Sequence, residues 1–430
     1  MRNKAIKNCT SILLLVLVQV IAVSAVFGQG TSTSFVNNEV IVKLNSTGDL
    51  AAISQAYGLS SVPLAQIGDR PVYRLRIPNG VSVQNVVALL QSDPLQRVLM
   101  AEPNYIVRTP ASAAGWENGL SWSIGTSWSL GSSLKGYSLQ WMRNRIDLNT
   151  AHAVTRGQGI KVAVLDSGID RQHPLFAGKL LPGYDFVSND TDPSEVGSQG
   201  IGAFGHGTHV SGIVAMVAPD AKIIPIRVLD ENGLCDTWRL ARALIYAANP
   251  DGDINTRDGA DVINLSIGTT DRTNLIRKLI AAETNDGTLP DDDDLPQVGH
   301  PAIVVVASAG NTGNGTHVYP AAEHDVPGLI AVGASTPADT IADFSTRGEW
   351  IELMAPGDKI VSAVPGGRYG VWRGTSMAAP VVSGIAALVR ARYQSLKPSG
   401  IFEHIRRSSV SCNGAISRRA DAGRALTMNP

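Results

Sequence analysis

The chain has 430 residues, enough for more than one domain, and its 44% hydrophobic and 17% charged residues are typical of a globular protein with a large core. A net charge of −1 gives no indication of a nucleic-acid partner. Three cysteines are too few for a fold that depends on a disulfide framework.

Residues 1–25 are predicted to be a signal peptide. Basic residues precede an apolar run at 12–26, and Val23-Ser24-Ala25 provides the small residues of a cleavage site. The alternative, an uncleaved membrane anchor, is disfavoured because Gln19 interrupts the apolar run and small residues follow it. We therefore expect export, either to the extracellular space or to a periplasm, with no membrane attachment after the signal is removed.

Residues 36–107 are predicted to form a small α+β domain with the order β-α-β-β-α-β, which is that of a ferredoxin-like unit. Strands are expected at 39–44, 62–67, 72–77 and 98–107, and helices at 49–57 and 83–90. An independent binding domain would fit this pattern. Its place between a signal and a larger domain favours a pro-domain instead.

Residues 108–140 are predicted to be a flexible linker. Ser121-Trp122-Ser123 is repeated as Ser127-Trp128-Ser129 in a stretch rich in glycine and serine. No charged residue lies between Glu117 and Lys135.

Residues 141–430 show an α/β pattern. Short β-rich runs lie at 160–165, 223–229, 262–267, 303–307 and 329–333, with helical segments at 207–217, 238–248 and 273–284. Several of the runs are apolar on both faces, as strands of a covered parallel sheet are. We predict a mainly parallel sheet with helices on both faces.

Three polar segments stand at strand ends or helix starts, where α/β folds place their sites. Asp166 ends the first strand, His206 opens a helix between two glycines, and Ser376 precedes a helix that is apolar on nearly every face. Each has a structural alternative: a turn aspartate, a helix-start histidine and a helix cap. Together they can form an orienting carboxylate, a base and a nucleophile, and their joint occurrence favours catalysis.

These segments resemble the signatures of the subtilisin-like serine peptidases. They read Asp166-Ser167-Gly168-Ile169-Asp170, His206-Gly207-Thr208-His209-Val210-Ser211-Gly212 and Gly374-Thr375-Ser376-Met377-Ala378-Ala379-Pro380. The order Asp, His, Ser is that of subtilisin. The resemblance covers residues 141–430, and residues 36–107 resemble the family's inhibitor-like propeptide. It implies that Asp166 orients His206, that His206 is the general base and then acid, and that Ser376 is the nucleophile.

The resemblance also implies an oxyanion site and a substrate cleft. Asn311 would supply a side-chain donor to the oxyanion beside the backbone N–H of Ser376. The cleft walls would be formed by Leu229, Gly233, Leu234, Cys235, Ser266, Ile267, Gly268, Ala309 and Gly310. A peptide would add as a strand between two edges, which implies broad specificity. Cys235 would lie at the cleft, which argues against a disulfide with Cys412, and His209 is expected to be structural.

No cofactor is expected for the chemistry, but structural calcium is a candidate. The segment after the His206 helix runs directly into the next strand, so the calcium loop of many relatives is expected to be absent there. Oxygen ligands of the kind that calcium uses are concentrated at Asp251, Asp253, Asn255 and Asp258. A solvated acidic loop fits the same pattern.

The sequence therefore predicts a secreted, monomeric serine endopeptidase made as a self-processed zymogen. It would hydrolyse proteins or peptides through an acyl-enzyme intermediate, with its own pro-domain as an intramolecular inhibitor. Two alternatives stay open: a catalytically inactive peptide-binding pseudoprotease, and an esterase that uses the same triad.

Overall fold

A computed structural model describes residues 34–109, 133–253, 255–285, 303–412 and 418–430. The predicted signal peptide and the tryptophan repeat at 121–132 lie outside the described residues. Two large sheets, a separate two-stranded sheet and the helices packed on them organise the described chain.

The N-terminal part forms an antiparallel sheet with two helices. Its strands are β1 (Phe35–Leu44), β2 (Ala65–Gln66), β3 (Val72–Arg76) and β4 (Val98–Arg108), and its helices are α1 (Leu50–Tyr57) and α2 (Val83–Gln91). The chain order β-α-β-β-α-β agrees with the predicted order. The second strand is shorter than predicted, because Val62 lies outside it and is 74% exposed.

Alternate residues of β1 face two different cores. Val40 and Val42 pack in a core made by the N-terminal part itself, whereas Ile41 packs in a cluster that includes Trp238 and Leu275 of the C-terminal part. Since successive side chains of a strand point to opposite faces, this sheet has one face for its own helices and one face for the larger domain.

Three short helices, α3 (Leu134–Leu139), α4 (Trp141–Arg145) and α5 (Leu148–Val154), precede the larger sheet. Its strands, in chain order, are β5 (Lys161–Asp166), β6 (Tyr184–Asp185), β7 (Lys222–Arg227), β9 (Val262–Leu265), β10 (Val304–Ser308), β11 (Leu329–Ser335), β12 (Leu353–Pro356), β15 (Val410–Ser411) and β16 (Arg418–Arg419); β8 (Leu234–Asp236) belongs to the first sheet. Within the described ranges the order across the larger sheet is β15-β16-β12-β11-β10-β9-β5-β7-β6. All neighbours are parallel except β15 and β16. A separate antiparallel pair is formed by β13 (Ile360–Val364) and β14 (Arg368–Trp372).

Helices cover both faces of the larger sheet. They are α6 (His206–Val217), α7 (Thr237–Ala248), α8 (Asn274–Thr284), α9 (Thr375–Arg392), α10 (Pro398–Ser408) and α11 (Ala422–Thr427). Val162 and Val164 pack in one hydrophobic cluster with α6 and α9, while Ala163 and Leu165 pack in another with α7 and α8. This is the predicted mainly parallel α/β fold, and α9 is buried on nearly every face because it lies in the middle of the first cluster.

The predicted linker at 108–140 differs from the structure at its two ends. Arg108 is the last residue of β4, and residues 134–139 form α3. The Tyr137 hydroxyl donates to the carbonyl of Gly212 at 2.7 Å, and the Gln140 side chain exchanges hydrogen bonds with the backbone of Val361. These buried contacts join residues 133–140 to the C-terminal domain, and local composition does not reveal them.

Candidate active site

A buried carboxylate–imidazole pair lies at the carboxyl end of β5. Asp166 is the last residue of this strand, and His206 is the first residue of α6. His206 Nδ1 donates to Asp166 Oδ1 at 2.7 Å, and both side chains are at most 3% exposed. His206 Nε2 has no hydrogen-bond partner among the described residues. With Nδ1 protonated, Nε2 has the free lone pair of a general base.

Ser376 lies at the start of α9, directly after Gly374 and Thr375. Its hydroxyl donates to the carbonyl of Ser266 at 3.3 Å rather than to His206. The carboxylate–imidazole link is therefore formed in this structure, and the imidazole–hydroxyl link is not. A rotation of the Ser376 side chain is needed to complete it, and such contacts are often long in enzymes without substrate.

A buried polar network, which the sequence analysis did not identify, fixes the start of α9. The Ser266 hydroxyl donates to the Ser376 carbonyl at 2.9 Å and accepts from the Asn264 amide at 3.0 Å. Asn264 in turn accepts from the Ser383 hydroxyl at 2.9 Å. The available sequence signal is Asn264 itself, a polar residue within the buried run of β9.

The side chain of Asn311 is held by its oxygen, and its amide nitrogen lies beside Gly374. Asn311 Oδ1 accepts from the backbone N–H of Thr375 at 2.8 Å and from the Thr375 hydroxyl at 3.0 Å. A Cβ atom built on Gly374 would lie 3.2 Å from Asn311 Nδ2 and 3.7 Å from the backbone nitrogen of Ser376. Because Gly374 has no side chain, a space remains beside it, and Asn311 Nδ2 and the backbone N–H of Ser376 line this space.

The two predicted cleft edges already hold an extended segment, which is the end of β4. Val107 pairs with Cys235 and Arg108 with Leu234 on one side. On the other side, the N–H of Arg108 donates to Gly268 at 2.9 Å, and the N–H of Gly268 donates to Arg108 at 2.7 Å. The N-terminal domain therefore occupies the groove between these edges as an added strand.

Other predicted cleft residues lie close to these edges. Leu229 is buried and donates its N–H to the carbonyl of Asp166 at 3.2 Å, and Gly233 has a φ of 76° in the turn before β8. Ala309 is fully buried beside Gly310. Val318, which the sequence analysis missed, separates the two walls: a Cβ on either Gly268 or Gly310 would lie 2.6 Å from one of its methyl groups.

Cys235 and Cys412 are both buried free thiols. Cys235 pairs with Val107 of the added strand, and burial raises the pKa of its thiol far above the ordinary value.

His209 is fully buried and packs against an aromatic ring. Its ring stacks on Trp372 with the centroids 4.5 Å apart and the planes 5° from parallel. Burial lowers the pKa of His209 to about 3, so the ring is neutral at physiological pH. This environment fits the structural role that the sequence analysis expected.

The acidic loop at 251–258 uses its side-chain oxygens as acceptors for its own polar groups. Asp251 Oδ1 accepts from the N–H of Asp253, Asp253 Oδ1 accepts from Asn255, and Asp258 Oδ2 accepts from the N–H of Asp251. Across the part of the chain that the structure describes, no group of three His, Cys, Asp or Glu residues could hold a metal ion.

The chain matches two family models. Residues 157–424 match the Subtilase family of peptidases, and residues 21–104 match the Fervidolysin N-terminal prodomain. The chain belongs to the subtilase family. It is a serine-type endopeptidase with an N-terminal prodomain, and subtilases need no cofactor for their chemistry.

Individual relatives agree with this assignment. A thermophilic serine proteinase of Bacillus sp. (strain AK1) is 34% identical over 84% of this subtilase and 79% of its own length. Thermitase of Thermoactinomyces vulgaris is 35% identical over 60% of this chain and 84% of its own. The crystal structure of fervidolysin from Fervidobacterium pennivorans has a TM-score of 0.70 at 23% identity and shares the fold. The match covers 94% of this subtilase and spans 62% of the fervidolysin chain.

Proposed function

We propose that this subtilase is a secreted, self-processing endopeptidase with Asp166, His206 and Ser376 as its catalytic triad. The observation that carries the proposal is the position of Arg108. It pairs with Gly268, two residues from Ser266, whose carbonyl accepts from the Ser376 hydroxyl. An extended peptide of this chain thus approaches the nucleophile through main-chain hydrogen bonds, which suits peptide substrates better than small esters.

The geometry supports an acyl-transfer mechanism. Ser376 Oγ attacks the substrate carbonyl carbon while His206 Nε2 takes the hydroxyl proton, and Asp166 stabilises the resulting imidazolium. Asn311 Nδ2 and the backbone N–H of Ser376 donate to the oxyanion. His206 then protonates the leaving amine as the peptide C–N bond breaks. A water molecule, deprotonated by His206, hydrolyses the acyl-enzyme and restores the serine.

Labelling with a fluorophosphonate tests this proposal. A reactive Ser376 should give an adduct that peptide mapping places on this residue, whereas a peptide-binding pseudoprotease would stay unlabelled. Protein and simple ester substrates are then compared on the labelled and unlabelled enzyme. If the unlabelled enzyme hydrolyses esters but not proteins, and labelling abolishes the ester hydrolysis, the esterase alternative is favoured instead.

The N-terminal domain also caps two helices of the peptidase domain. Glu102 accepts from the N–H groups of Asn274 and Leu275, at 2.7 and 3.2 Å, at the start of α8. Asn104 accepts from the N–H of Trp238 at 3.0 Å, at the start of α7. Each cap of this kind contributes about 1 kcal/mol. We therefore assign the domain both a folding role and an inhibitory role.

The isolated pro-domain, residues 30–109, is expected to inhibit the mature enzyme competitively. A shorter form, 30–107, should inhibit as well but roughly thirtyfold more weakly, because it lacks the two hydrogen bonds between Arg108 and Gly268, which contribute about 1 kcal/mol each. Inhibition constants measured with a chromogenic peptide check both values.

Val62→Ala in the 30–109 form is the matched control, because Val62 is 74% exposed. It should leave the inhibition constant unchanged. The role as inhibitor is wrong if the pro-domain binds without slowing hydrolysis, or if the mature N-terminus lies within residues 36–100.

Export and a monomeric state are part of the proposal. Export is supported by the basic and apolar pattern of residues 1–25. No helix within the described ranges is long and apolar enough to cross a membrane. Fractionation of an expressing culture tests export, and light scattering of the purified enzyme tests the monomer.

Calcium at residues 251–258 stays a prediction. If the loop binds calcium, a chelator should lower the melting temperature of the wild type, because a ligand that binds only the native state stabilises it. Asp253→Ala should then remove that sensitivity. The acidic-loop interpretation holds instead if chelator leaves the wild-type melting temperature unchanged.

A further inference from the structure

Glu195, in the loop that precedes α6, receives hydrogen bonds on both of its carboxylate oxygens. Oε1 accepts from the N–H and the hydroxyl of Thr208, at 3.0 and 2.9 Å. Oε2 accepts from the N–H of Gly205 at 2.9 Å and the Ser167 hydroxyl at 3.0 Å. Nothing in the local sequence distinguishes Glu195, since an acidic residue in a polar loop is ordinarily a solvated one.

The hydrogen-bond donors around Glu195 require its carboxylate to be ionised. The Ser167 hydroxyl already accepts from the N–H of Gly207 at 2.9 Å, and the Thr208 hydroxyl accepts from the N–H of Asp170 at 2.8 Å. Both hydroxyl hydrogens therefore point at Glu195, together with the N–H groups of Gly205 and Thr208. Burial raises the pKa of Glu195, but donors at all acceptor positions favour the charged form and leave no acceptor for a carboxyl proton.

These bonds connect the two members of the carboxylate–imidazole pair. Ser167 directly follows Asp166, whereas Gly205 and Thr208 flank His206 at the first turn of α6. Orphan N–H groups at a helix start need acceptors, and an anion there is further stabilised by the helix dipole. Glu195 thus holds the end of β5 and the start of α6 together from one point.

We propose that Glu195 is a positioning residue that sets His206 against Asp166 and adds a second negative charge at the start of the helix that carries the imidazole. The inference rests on the proposed catalytic roles of Asp166 and His206. During the reaction His206 becomes positively charged, so a fixed anion near it favours the transition state over the ground state.

Other titratable groups also face this part of the site. Asp166 is bonded to the imidazole, and neutral His209 lies one turn along α6. Asp170 accepts from the N–H of Gly366, and Arg171 pairs with Asp192 at 3.0 Å on the exposed side of the loop. Glu195 differs from these loop charges because its two carboxylate oxygens accept four hydrogen bonds from the end of β5 and the start of α6.

The first test measures the pKa of His206 by NMR titration of its ring in the full-length chain carrying Ser376→Ala, which removes self-cleavage. Glu195→Gln keeps the side-chain shape but removes the charge. Its amide NH₂ would also face the N–H and hydroxyl groups that donate to the carboxylate in the wild type. We expect the pKa of His206 to fall by about one unit.

The second measurement is the kinetics of Glu195→Gln in the active enzyme. Its kcat should fall roughly ten- to hundredfold with KM changed less than twofold. The acid limb of the pH profile of kcat/KM should shift to lower pH.

Asp192→Asn is the matched control, because it removes one negative charge from the same loop at a side chain that is 62% exposed. It should leave the His206 pKa and kcat at wild-type values. Equal titration curves and equal kcat for Glu195→Gln and Asp192→Asn would overturn the proposal.

A second pair of variants applies if Glu195→Gln does not fold. Thr208→Val removes the hydroxyl that donates to Glu195 and accepts from the N–H of Asp170, and Thr208→Ser retains both hydrogen bonds. The proposal requires a lower kcat and a shifted His206 pKa in Thr208→Val, with both restored in Thr208→Ser; two variants with wild-type values would refute it. The NMR titration needs no hydrolysis, so it tests the role of Glu195 independently of activity. Failure of fluorophosphonate to label Ser376 would overturn the proposed function but not the positioning role of Glu195.

Discussion

Replacement of Ser376 by alanine is expected to lower kcat roughly 10⁶-fold, a magnitude taken from the corresponding serine of subtilisin. The substitution removes one hydroxyl and leaves the helix, the Asp166–His206 pair and the cleft in place. Ser266 loses only the 3.3 Å hydrogen bond to its carbonyl, and its own bond to the Ser376 carbonyl is retained. The fold should therefore survive while hydrolysis is lost.

Casein hydrolysis and the state of the precursor measure this effect. The wild type should have its mature N-terminus within residues 110–133, because β4 is paired through Arg108 and α3 packs into the peptidase domain. Ser376→Ala should accumulate uncut at that position. Ser395→Ala, at an exposed serine after α9, is the control and should process normally. Casein cleavage by Ser376→Ala at the wild-type rate would refute the mechanism.

Asn311→Ala is expected to lower kcat roughly 10²- to 10³-fold with little change in KM, the loss known for this donor in subtilisin. The alanine removes Nδ2 from the space beside Gly374, the proposed oxyanion site, and such a donor contributes only after the carbonyl is attacked. It also removes the acceptor of the Thr375 N–H, so part of the loss comes from a less ordered start of α9.

Two further variants separate these contributions. Asn311→Asp keeps an acceptor for Thr375 but replaces the donor with a negatively charged oxygen, so kcat should fall at least as far as in Asn311→Ala. Asn314→Ala changes an exposed asparagine in the same loop and should leave kcat unchanged. Full activity in Asn311→Asp, or equal losses in Asn311→Ala and Asn314→Ala, would exclude the oxyanion role.

Much of the architecture was predictable because hydrophobic periodicity is local. The runs at 160–165 and 303–307 carry apolar residues on both faces, as strands between two helix layers do, and the structure has β5 and β10 there. The glycine-flanked motifs place His206 and Ser376 at helix starts for an equally local reason. Gly205 has a φ of 86° and Gly374 one of 152°, which favour glycine.

The sequence by itself determined the family, the alternation of strands and helices, and the identity of the candidate triad, since each depends on residues close together in the chain. Only the tertiary structure decided which distant segments meet. Arg108 lies beside Gly268, Val318 separates two glycine walls, and Glu195 is bonded to the start of α6. The local sequence around an acidic loop residue or a polar strand end is the same whether the residue is exposed to solvent or buried. Long-range packing alone determines which polar groups lose water, and thus which of them must be satisfied by a partner.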